Sequence, residues 1–197
     1  MTIETREICG DAIMQTCFKT DSAGLRQNFS SYVDATKNSV DVNTGEVKVA
    51  AKGTILRSVG IGSCVVVVAY NIRAKIGGMA HIMLPGSAPQ QSLEKTKYAF
   101  DGIEQLLNQM FEAGAGTDEI EVCLVGAGNV LQKNDDTICN ANIGSVTGIL
   151  KEKNIPVVVS SLGGTKRKSV FLDVANSRVS YAEGDEKEKI LGQTGQL

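Results

Sequence analysis

Residues 65 to 70 read Val-Val-Val-Val-Ala-Tyr, apolar at every position and β-branched at the first four. Branching at Cβ restricts χ1 in a helix and suits a pleated surface, so the run predicts a strand. A strand with one solvated face alternates apolar and polar residues. This one has no polar parity, so it must be covered on both faces. A chain containing it has to fold in layers, with other elements packed above and below the sheet that holds it.

Asn71 to Lys75 is polar and basic, and Met79 to Leu84 is apolar again, which predicts a hairpin. If Cys64 lies opposite Met83, His81 becomes its diagonal neighbour on the same face, at roughly 7 to 8 Å. A slip of one residue would put the two side chains on opposite faces. Gly77-Gly78 is a candidate position for a bulge that would fix the register.

The flanking segments add strands and two helices. Glu46 to Ala50 alternates and Thr54-Ile55-Leu56 follows Gly53, as in a hairpin or a pair of short strands. Leu93 to Ala113 places Ala99, Ile103, Leu106, Leu107 and Met110 near one helical face, with Gly114 as a stop. Glu119 to Val125 reads as a strand ending at Gly126-Ala127-Gly128, and Asn142 to Lys151 as a second helix. Pro156 to Ser161 is a further strand, and Ser169 to Val174 forms a hairpin with Arg178 to Ala182. The expected organisation is an N-terminal extension of residues 1–43, one α+β domain over 44–183, and a charged, mobile tail over 184–197.

With 197 residues, a formal net charge of −2 and 5% aromatic residues, the chain has neither the basic stripe nor the stacking platform of a nucleic-acid binder. No apolar run is long enough for membrane insertion, and Met1 to Glu7 lacks the layout of a secretory signal, so a cytoplasmic location is expected. The five cysteines are odd in number and include no Cys-x-x-Cys pair. That argues against a disulfide framework and a zinc ribbon, and no metal or other cofactor is expected.

Cys64 and His81 are the candidate catalytic pair. His81 is the only histidine and follows Cys64 by seventeen positions. A thiol needs a neighbouring base to be nucleophilic at neutral pH, and imidazole has the matching pKa. Gly60 and Gly62 precede the cysteine, so backbone amides near Gly62 and Ser63 are candidates for an oxyanion hole. A lone cysteine before a valine run is more often a small core residue, whereas the cysteine, histidine and glycine frame together are what nucleophilic catalysis demands. Cys123 and Cys139, assigned to strand and loop settings, read as structural. Cys9 and Cys17 are too sparse for a metal site.

The stretch Gly60-Ile61-Gly62-Ser63-Cys64-Val65, followed by Gly77-Gly78-Met79-Ala80-His81-Ile82-Met83-Leu84-Pro85, resembles the CheD family of chemoreceptor glutamine deamidases. Lys97-Tyr98-Ala99, Gly126-Ala127-Gly128, Asn142-Ile143-Gly144 and Gly163-Gly164 extend the resemblance over roughly residues 44–183. It implies a layered sandwich of mixed β-sheets with flanking helices, similar to the catalytic domain of cytotoxic necrotizing factor toxins. It implies Cys64 as nucleophile, His81 as base and, at the position where the family usually has threonine, Ser58 as the third member.

The resemblance also implies a methyl-accepting chemoreceptor as protein substrate and a CheC-type phosphatase as a partner. The chain departs from the family pattern at Ser160-Ser161-Leu162, where an acidic residue is usual, and at Val146-Thr147, where an Arg-Asn pair is common. Two other readings remain open at this point. One is a catalytically idle docking protein. The other is a redox sensor pairing Cys64 with Cys123 or Cys139, which requires α-carbons within about 7 Å.

Overall fold

A computed structural model describes residues 38–135 and 137–193. Its strands are β1 Asn38–Asp41, β2 Val47–Ala51, β3 Thr54–Ile61, β4 Val65–Asn71, β5 Ile76–Ile82, β6 Ile120–Gly126, β7 Val157–Leu162, β8 Lys168–Asp173, β9 Arg178–Glu183 and β10 Lys189–Gln193. Helix α1 spans Ala99–Glu112 and α2 spans Thr137–Glu152. One sheet has the order β1-β3-β8-β9-β10, the other β2-β5-β4-β6-β7. Both are mixed, since β1 runs parallel to β3 and β7 parallel to β6. The architecture is the α+β layered sandwich expected from the sequence.

The valine run is the middle of this arrangement. β4 lies between β5 and β6, and every residue in it is buried. Its two parities enter two different cores. Val65, Val67 and Ala69 pack with Ile103, Leu106 and Met110 of α1 and Val146 and Leu150 of α2. Val66, Val68 and Tyr70 pack against Leu56 of β3 and Val170 and Leu172 of β8 in the opposite sheet. Helices, sheet and sheet therefore form three layers.

Several expectations are corrected by partners distant in sequence. β2 and β3 do not form a hairpin: β2 pairs with β5, while β3 pairs with β1 and β8 in the other sheet. The turn between them is a corner at which the chain changes layers. Gly77-Gly78 holds no bulge, for the β4–β5 ladder is regular from Asn71↔Ile76 to Val65↔Ile82. Both glycines give space instead. A Cβ at Gly77 would lie 2.6 Å from Leu172 Cδ2, and one at Gly78 would lie 2.6 Å from Leu106 Cδ1 on the helix side. The sandwich closes onto β5 because neither residue has a side chain.

The boundaries also differ. β1 lies before Thr44 and pairs with β3, so the folded domain reaches back at least to Asn38, while residues 1–37 lie outside the described residues. Within the span expected to be a mobile tail, β10 pairs with β9, with a register shift between Ile190 and Gly192. The first helix begins at Ala99, after a 3-10 turn at Lys95–Lys97 and an extended Tyr98. Cys139 sits in the first turn of α2 rather than in a loop. Among the described residues, no helix is long and apolar enough to cross a membrane.

Candidate active site

The site forms where the chain crosses from one sheet to the other. β3 ends at Ile61 and β4 starts at Val65, so Gly62-Ser63-Cys64 is the bend between layers. Just before it the β3–β8 register shifts between Ser58 and Ile61, and Gly60 adopts φ +70°, a backbone conformation that glycine takes without strain. Three consecutive carbonyls of the bend are held by donors. Gly128 N donates to Gly62 O at 2.8 Å, Asn142 Nδ2 to Ser63 O at 3.0 Å, and Ala127 N to Cys64 O at 2.6 Å. The Gly126-Ala127-Gly128 turn is thus the back wall of the cysteine bend.

In the β4–β5 ladder Val66 lies across from His81 and Val65 across from Ile82. One step further places Cys64 across from Met83, which makes His81 its diagonal neighbour. His81 shares the parity of Met79, and Met79 packs in the core between the sheets. The imidazole therefore points toward β3, where Ser58 Oγ lies 2.9 Å from His81 Nδ1. Ser58 is 1% exposed and His81 4%. Ser58 and His81 join the two sheets, while Cys64, half-buried, stands at the bend.

Hydrogen bonding determines the tautomer. Ser58 Oγ donates to Val42 O at 2.9 Å, and a carbonyl can only accept. The hydroxyl is then left to accept from His81 Nδ1–H, with Val42 O a longer second acceptor at 3.4 Å. The proton assigned to Nδ1 leaves Nε2 with a free lone pair. Thr44 Oγ1 lies 3.4 Å from that nitrogen. The turn carrying Thr44 is fastened to the histidine strand, with Gly45 N donating to His81 O at 2.8 Å and His81 N to Glu46 O at 3.0 Å.

Burial pushes the Cys64 thiol up, against the pull of its own backbone amide. Burial pushes His81 down, opposed by the Val42 carbonyl and by the charge of Glu46. Both shifts favour a neutral thiol and a neutral imidazole at rest, on diagonal positions of neighbouring strands. A neutral thiol becomes a nucleophile only if a base takes its proton during an attack.

The remaining cysteines stand apart. Cys123 pairs with Val68, four residues along β4 from Cys64. At about 3.3 Å per residue the offset along the strand alone is about 13 Å, before the step across to β6, too far for a disulfide. Its thiol is pushed up to about 12, mainly by burial. Cys139 is buried in the helix-side core, across the sheet from the core that Cys64 packs against. Cys9 and Cys17 lie outside the described residues. Among the described residues no cluster of three or more His, Cys, Asp or Glu could hold a metal ion.

Sequence reasoning singled out Ser58, Gly62, Ser63, Cys64 and His81, and the fold gathers them at one corner. It missed Val42, Thr44 and the role of Asn142. Val42 acts through a backbone carbonyl, which leaves no trace in residue type. Thr44 and Asn142 are far in sequence from the groups they touch.

Residues 83–183 match the family model of CheD, described as CheD chemotactic sensory transduction. A probable chemoreceptor glutamine deamidase CheD from Chlorobium luteolum is 35% identical over 149 residues, 75% of this chain and 74% of that protein. One from Haloarcula marismortui is 33% identical over 155 residues, covering 77% and 90%. The chemoreceptor glutamine deamidase CheD of Halalkalibacterium halodurans is 30% identical over 156 residues, covering 76% and 96%. The chain belongs to the CheD family.

Proposed function

We propose that this CheD family member is a protein-glutamine deamidase that converts glutamine side chains of a methyl-accepting chemoreceptor to glutamate, with Cys64 as nucleophile. The observation that carries the reading is the hydrogen bond between Ser58 Oγ and His81 Nδ1, because it leaves Nε2 free to take a proton beside a cysteine on the same strand face.

Cys64 Sγ attacks the Cδ of the glutamine amide while His81 Nε2 accepts the thiol proton. The carbonyl electrons move onto oxygen, and the backbone amides of the Gly62-Ser63-Cys64 bend, whose carbonyls are all turned to other partners, supply donors to it. One well-placed donor is worth about 3 kcal/mol in such a transition state. The tetrahedral species collapses as His81 returns its proton to the nitrogen, the C–N bond breaks and ammonia leaves. Water then attacks the thioester with His81 as base, the C–S bond breaks, and glutamate and the Cys64 thiol are released. Ser58 keeps the imidazole in its tautomer throughout. A CheC-type phosphatase is the second partner in this reading, supported by family membership.

The test is mass spectrometry of receptor cytoplasmic fragments from the same organism, incubated with the protein and with its Cys64→Ala and His81→Ala variants. A gain of about 1 Da at defined glutamines, lost in both variants, is the expected result of thiol-dependent deamidation. Fragments that bind but never gain mass would make the protein an idle docking module.

A further inference from the structure

We propose that Asn142 is the positioning residue that holds Cys64 and His81 in register from the helix side of the sheet. It rests on the thiol and imidazole reading above. Asn142 lies in α2 and is 0% exposed. Its Nδ2 has two hydrogens, and both are used: one on Ser63 O at 3.0 Å, the other on Met83 O at 3.1 Å. Ser63 immediately precedes Cys64. Met83 is two residues beyond His81 and lies across from Cys64 when the ladder is carried one step on. A single side-chain amide therefore ties the start of the nucleophile strand to the end of the base strand, just where the β4–β5 pairing stops.

The rest of the surroundings make Asn142 the link rather than one contact among many. The amide of Met83 is taken by Lys97 O at 2.9 Å, so its carbonyl is the group left for α2 to hold. Three residues along the helix, Ser145 Oγ accepts from Gly86 N at 2.8 Å and secures the same segment a turn later. Asn142 Oδ1, by contrast, is buried and has no hydrogen-bond partner. Exchanging Oδ1 and Nδ2 would aim an oxygen at two carbonyl oxygens, so the assignment is fixed by chemistry. An orphaned acceptor costs stability that an apolar side chain of similar volume would not. What the amide provides in exchange is the fixed spacing between the strand ends on which proton transfer from Sγ to Nε2 depends.

Two variants of the full-length protein separate this role from space-filling. Asn142→Leu keeps the volume and removes both donors. Asn142→Asp keeps the shape, presents a carboxylate to both carbonyls when ionised, and regains one donor when protonated. Deamidation of the receptor fragment is followed from pH 5 to 8, together with alkylation of Cys64 by iodoacetamide, read by peptide mass spectrometry, which needs no glutamine substrate.

Positioning predicts that Asn142→Leu, which leaves the Ser63 and Met83 carbonyls without this donor, lowers kcat by roughly 10- to 100-fold with KM within twofold at temperatures where the variant is still folded. It also predicts that the ratio of the Asn142→Asp rate to the Asn142→Leu rate rises as pH falls, since the titrations of Cys64 and His81 are common to both and cancel. Wild-type kcat in Asn142→Leu, or parallel pH profiles for the two variants, would overturn the proposal. Cys64 alkylation that is identical in wild type and His81→Ala at every pH would instead remove the thiol and imidazole reading on which it stands.

Discussion

Ser58 Oγ and His81 Nδ1, 2.9 Å apart, belong to different sheets, so the hydrogen bond that selects the histidine tautomer also fastens the two halves of the sandwich. The hydroxyl can serve both purposes because it donates to Val42 O while accepting from the ring. Threonine at this position would present the same hydroxyl with a methyl that restricts χ1.

Ser58→Ala should therefore cost activity and stability together. Loss of the acceptor leaves Nδ1–H with the longer Val42 contact, and kcat is expected to fall about tenfold while KM stays near its wild-type value. Loss of two buried hydrogen bonds should lower folding stability by about 1 to 2 kcal/mol. Ser58→Thr should keep both properties. Steady-state deamidation and urea unfolding of the two variants check this, and wild-type kcat in Ser58→Ala would remove Ser58 from the site.

His81 predicts how stability responds to acid. Its folded pKa is depressed below the unfolded value by burial, so between the two the unfolded chain binds more protons. Stability attributable to His81 is complete above the unfolded value of about 6.5 and declines as pH falls through that value toward the folded one, with a slope of at most about 1.4 kcal/mol per pH unit. His81→Gln should flatten this limb between pH 7 and 5 in urea titrations. An equally steep limb in the variant would assign the acid sensitivity to other groups.

The parts of the fold legible in the sequence are those in which one strand settles its own environment. Val65 to Tyr70 has no polar parity, so burial on both faces followed from side chains alone, whereas the β4–β5 register stayed conditional, because both strands are apolar on both faces and a one-residue slip leaves the pattern unchanged. β2 and β3 show equally good alternation, yet alternation says which face is buried and not which strand is the partner. Their separation into two sheets is decided by β5 and β8. Gly77-Gly78 was visible as a special pair, but its purpose depends on Leu172 and Leu106, one from each flanking layer. β10 was hidden for a related reason: Ile190 and Leu191 are a short apolar pair in a charged, glycine- and glutamine-rich stretch, and the strand is fixed by its pairing with β9 and by Leu191 packing on the core between the sheets. At the site, cysteine, histidine and glycine announce themselves by type, whereas the Val42 carbonyl and the Asn142 amide matter only through where the fold places them.

Thr44 touches the ring nitrogen that serves as base in the proposed mechanism. At 3.4 Å its hydroxyl makes a long contact with His81 Nε2, and a donor there competes with the thiol proton. Displacing so long a bond should cost less than about 1 kcal/mol, so Thr44→Val is expected to raise kcat/KM by up to about threefold, with Thr44→Ser unchanged. A tenfold loss in Thr44→Val would show that the hydroxyl assists the chemistry, for instance by holding the hydrolytic water.

Gly126 has no room for an added methyl group. Its φ is +131°, a region that side chains rarely adopt, and a Cβ would press directly on the Cys64 carbonyl oxygen and lie 2.8 Å from Ile61 Cγ2. Those neighbours are the backbone of the bend and a fully buried core residue, so neither can give way cheaply. Gly126→Ala should destabilise the protein by about 2 to 4 kcal/mol through strain and overpacking. The same displacement moves the Cys64 backbone out of the bend. Activity should therefore be lost even at temperatures where the variant is still folded by circular dichroism. By contrast, Gly144→Ala in α2, where a Cβ meets nothing within 4 Å, should stabilise the helix by up to about 1 kcal/mol and leave deamidation unchanged. If Gly126→Ala is folded and fully active, the turn does not support the cysteine bend.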